Sequence, residues 1–138
     1  MEKLRGMVND YLTRMDIEPT DCRNESYPDC WFVRKGSATA VIIANETENR
    51  AATLGFVAPV IPLPKTDNLE GLFRKLLSLN YAMLHGAFSL DRDEESIVII
   101  DNLQAENLDF DEFSASLMCV LEAADKYDDK LRSEYGQV

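Results

Sequence analysis

The sequence predicts an α+β fold: an antiparallel sheet of about five strands with helices, in the order α-β-β-β-α-β-β-α. Three observations carry this. An amphipathic helix over Asp67 to Asn80 runs straight into two extended segments. A β-branched and aromatic stretch from Cys30 to Ile61 is broken by two polar turns. Helical periodicity then returns over Asp109 to Tyr135. With 138 residues the chain has the length of one domain, residues 1–138, and buries roughly 68% of its unfolded surface without staples.

The first helix spans Lys3 to Asp16, where Leu4, Met7, Val8, Tyr11, Leu12 and Met15 form one stripe; Pro19 forbids its continuation. Residues 17–30 hold two prolines, turn formers and no period, which reads as a loop or a poorly ordered excursion. Strands follow over Trp31 to Arg34, Ala38 to Asn45 and Ala51 to Ile61, an antiparallel meander. Pro59 to Pro64 reads as a rigid connector crossing the sheet edge, with a short polyproline segment that docks a partner as the second reading. Asp67 and Glu70 have capping-box spacing, Leu69, Leu72, Phe73, Leu76 and Leu77 share the buried face, and Asn80 suits a left-handed cap. Two strands, Ala82 to Leu90 and Ser96 to Leu103, flank the acidic loop Asp91 to Glu95. The last helix opens on Asp109-x-x-Glu112 and stops at Gly136.

Charge narrows the function. The net −11 is concentrated in residues 91–138, with 4 basic and 14 acidic side chains, whereas residues 31–90 carry 6 basic and 4 acidic. Such a field repels nucleic acid and anionic lipid, so neither is expected as a partner. No apolar run approaches the length of a membrane span, and the first residues lack a secretory leader, so the expectation is a soluble, cytoplasmic protein. Cys22, Cys30 and Cys119 form no metal or redox pattern and read as free thiols.

Chemistry finds no foothold. His85 is the sole histidine and sits in an extended segment beside Gly86, a poor setting for a nucleophilic relay. Asp91, Asp93 and Glu95 begin like a calcium loop, but Ser96 stands where glycine is needed. Glycines stand singly, without a phosphate-binding motif. No catalytic residue, cofactor or metal site is expected.

The element order, with LLSLNYAMLHGAFSLD at Leu76 to Asp91, resembles the small type III secretion chaperones and the YbjN-type bacterial proteins that share their fold. Asn80, Gly86, Phe88, Leu90 and Asp91 carry the resemblance, and their role is structural. It implies a homodimer built on the central helix and the strand after it, with helix and sheet surfaces that hold a partner polypeptide. The corresponding residues here are Leu72, Leu76, Leu79, Tyr81, Met83 and Phe88, and Leu79 discriminates best because it lies off its helix's main stripe. The reading is a noncatalytic, chaperone-like or adaptor protein-binding module. The alternatives are a ligand-binding or enzymatic domain with a cleft between sheet and last helix, and a structural subunit of a larger complex.

Overall fold

A computed structural model describes residues 1–136. Helix α1 (Glu2–Arg14) leads through a short α2 (Pro19–Cys22) and β1 (Arg23–Asn24) into β2 (Tyr27–Lys35), β3 (Ala38–Thr47) and β4 (Arg50–Pro62). Helix α3 (Leu69–Ala82), β5 (Ala87–Leu90), β6 (Ser96–Gln104) and α4 (Phe110–Tyr135) complete it. The strands form one antiparallel sheet of order β1-β2-β3-β4-β6-β5. The sixth strand comes from residues 17–30, predicted as a loop: Pro19 opens a helix there, Glu18 accepts from the Thr20 amide, and Cys22 is buried.

Helices α1 and α4 share one side of the sheet. Tyr11 and Phe113 stand 5.3 Å apart and Phe113 meets Phe56 of β4 edge-on at 5.5 Å. Trp31, fully buried, donates through Nε1 to Asn9 Oδ1 at 2.9 Å. α4 lies across β2, β3, β4 and β6, and its N-terminus is capped by Asp109, which accepts from the Glu112 amide at 2.8 Å. The β2–β3 turn is tied to α4 because the Ser37 amide and hydroxyl meet Asp125. α3 reaches the same side at its other end, where Tyr135 donates to Gly71 O and Lys75 pairs with Glu134.

Several predicted boundaries shift for local reasons. Asn68, not Asp67, caps α3, accepting from the Gly71 amide at 3.0 Å. Asn80 is no left-handed cap: the helix continues to Ala82, and the positive φ falls at Gly86 (+83°), where a Cβ would lie 3.1 Å from Ile100 O. Tyr81 and Ala82 are therefore helical, and the strand begins only at Ala87. Pro59 to Pro62 is no connector either; it pairs with β6 through an irregularity between Pro59 and Ile61.

Candidate functional site

Strand alternation separates two faces of the sheet. On the helix side, Trp31, Ile42, Phe56 and Ile99 are fully buried. Their chain neighbours point the other way, and the registers align them: Phe32 faces Val41, Val41 faces Val57, Val57 faces Ile100, and Ile100 faces Ala87. This apolar row crosses five strands. A second row runs Cys30, Ile43, Gly55 and Asn102. Phe32 and Ile43 are 36% and 39% exposed. Both rows are uncharged, in a chain of net charge −11; Arg34 stands at their margin.

A second apolar surface follows α3. Leu77, Tyr81 and Leu84 are 68%, 95% and 90% exposed. Beside them a groove of about 290 Å³ lies between α3 and β5, lined by Phe73, Leu76, Leu77, Asn80, Phe88 and Leu90. Of the residues anticipated for an interface, Leu72, Leu76 and Phe88 are buried in the protomer, and Phe88 stacks edge-on to Tyr127 at 5.5 Å. Leu79 and Met83 are half-buried against the core. Tyr81 alone of the six is open. Leu79 lies on the covered side of its helix, whereas Leu77, assigned by periodicity to the buried stripe, projects outward.

The groups capable of chemistry are committed elsewhere. His85 Nδ1 lies 3.8 Å from Asp101 Oδ2, and the same oxygen accepts the Ser116 hydroxyl at 2.5 Å. The hydroxyl thus points to the carboxylate and not to the imidazole, the reverse of a nucleophilic relay. Burial pushes all three thiols, Cys22, Cys30 and Cys119, above the usual cysteine range, which keeps them protonated. The space between sheet and α4, the place of the alternative ligand cleft, is filled by Phe56, Phe113, Leu117 and Val120. Among the described residues no group of three His, Cys, Asp or Glu side chains is placed to hold a metal ion, and no helix is long and apolar enough to cross a membrane.

This is the architecture of a small α+β chaperone. The chain belongs to the CesT_Tir_1 family of type III secretion chaperones, whose profile matches residues 1–134. One chain of the ExsC–ExsE complex is similar, with a TM-score of 0.66 at 16% identity over 93% of this chain and 92% of that one. So is a chain of the heterodimeric ExoU–SpcU complex from the type III secretion system of Pseudomonas aeruginosa (0.66, 13%, 88% and 95%). YbjN of E. coli, described as a putative transcription regulator, is similar at 0.51 and 14%, over 86% and 89%. No curated protein matches the sequence. The chain is a chaperone-like protein-binding module.

Proposed function

We propose that this protein, acting in the cytoplasm and without catalysis, holds a partner polypeptide against the open face of its sheet and pairs with a second copy of itself along α3. One observation carries the first part: a continuous apolar row across five strands, uncharged in a strongly acidic chain, with no helix over it among the described residues. A contiguous apolar row left open to solvent supports an interaction surface. The second part is supported by Leu77, Tyr81 and Leu84 and by local charge. Residues 69–90 contain Glu70, Arg74 and Lys75 as their carboxylate and fixed cations, so two copies of this stretch meet without the repulsion that the acidic last third would impose.

The test is capture of partners from a native lysate of the source organism, comparing wild type with Ile43→Asp. A charge placed in the second open-face row should abolish recovery of a stoichiometric partner while the protein stays folded. Equal recovery with both proteins would sink the open-face reading.

A further inference from the structure

We propose that Asn80 closes the β5 edge of the sheet to strand addition, so that a second copy at this surface docks on α3 through side chains and does not extend the sheet. The inference rests on the dimer reading only for the identity of that neighbour. β5 is an outer strand, and outer strands offer unpaired N–H and C=O groups to other chains. In this pairing Asp91 donates its amide to Ser96 O at 3.0 Å, which sets the alternation: residues 87, 89 and 91 face β6, and the backbone of Phe88 and Leu90 faces outward.

Those outward groups are already engaged. The Phe88 amide donates to Asn80 Oδ1 at 2.7 Å, and Asn80 Nδ2 donates back to Phe88 O at 3.3 Å. The Ser89 hydroxyl donates to Leu90 O at 2.9 Å. Three of the four outward groups thus find partners within their own chain. A side-chain amide presents one acceptor and one donor, the same pair that an adjacent strand presents, so Asn80 stands where the next strand would begin. It is placed there because α3 runs on to Ala82 and Gly86 turns the chain back. An incoming strand would have to displace this half-buried amide and leave it without partners. Among the described residues the opposite edge has no such side-chain bond to its outward groups. β1 faces β2 only at Tyr27 and Trp31, and Phe32 to Lys35 extend beyond it.

Two measurements on the full chain test this: hydrogen exchange at the Phe88 amide and sedimentation, each over a wide range of protein concentration. Phe88 exchange should be independent of concentration in the wild type and about fivefold faster in Asn80→Ala. In Asn80→Asp it should stay near wild type, because the carboxylate still accepts from the amide; if Asn80→Ala fails to fold, the concentration dependence of Phe88 exchange in the wild type carries the test. The double variant Leu77→Glu/Tyr81→Glu should be monomeric, and adding Asn80→Ala to it should restore concentration-dependent association through the opened edge. Phe88 protection that falls on dilution of the wild type would overturn the proposal, since another chain would then supply the bond. Unchanged Phe88 exchange in Asn80→Ala would overturn it equally. A wild type that is monomeric at every concentration, with Phe88 still protected, would remove the dimer reading and leave the closed edge standing.

Discussion

The two faces of the sheet are built from the same kinds of residue and have opposite fates. Ile42 and Ile43 are chain neighbours of identical composition; the first is fully buried under the helices and the second is 39% exposed. Phe56 and Val57, and Ile99 and Ile100, divide in the same way between a covered and an open side. The difference lies in helix placement. α1, α3 and α4 all meet the same side, and among the described residues no helix lies on the other. An antiparallel sheet with one wet face ordinarily alternates apolar and polar residues. This one carries an apolar row on its open face as well, from Phe32 through Val41, Val57 and Ile100, with Arg34 and Asn102 at its margins.

The sharpest way to break that comparison is to truncate the neighbours separately. Ile42→Ala should cost about 2–5 kcal/mol in denaturant unfolding, because it removes a fully buried side chain and leaves a cavity. Ile43→Ala should cost less than about 1 kcal/mol in the same measurement. If the two cost the same, the open face is core in disguise and the comparison collapses.

A second test separates the open sheet from the open helix. Leu77→Glu/Tyr81→Glu should convert a dimer to a monomer in sedimentation while changing unfolding by about 0.5 kcal/mol or less at protein concentrations low enough for the wild type to be monomeric too, since both residues project from α3. Partner capture through the sheet should fall by less than it does in Ile43→Asp. An equal fall in both would mean that the two surfaces form one site.

Much of this architecture was legible in the sequence. The turn at Gly36-Ser37, the cap at Asp109 and the stripe of α4 depend on contacts a few residues apart, and local chemistry specified them. The α3–β5 link was misplaced because Asn80 is engaged eight residues away, at Phe88, where local propensity has no view. The sequence reading expects a sheet surface for a partner but names none of its residues in β2, β3, β4 or β6, although a signal is present: Val41-Ile42-Ile43 and Ile97-Val98-Ile99-Ile100 are apolar at every position, and such runs mark strands covered on both sides. On α3, Leu77 extends a stripe already complete with Leu72 and Leu76; the excess width was the mark of a second contact.

The smallest expected effect is also the most local, and it belongs to the covered side. Asp125 sits on α4 beside the β2–β3 turn, and the Ser37 hydroxyl and amide hold its carboxyl below the usual aspartate range, with Lys35 adding a smaller pull. A carboxyl whose pKa is depressed on folding stabilises the native state above its unfolded value of about 3.9 and loses that contribution as pH falls through the folded value. The wild type should therefore lose stability more steeply below about pH 4 than Asp125→Asn does, in denaturant midpoints followed across acid pH. Because Asp125 is solvent-exposed, the difference should be small and should shrink with added salt. No comparable acid sensitivity is expected of the open face, whose two rows hold no titrating carboxylate. An Ile43→Asp variant should acquire one, and with it a stability that rises as acid neutralises the introduced charge against its apolar neighbours.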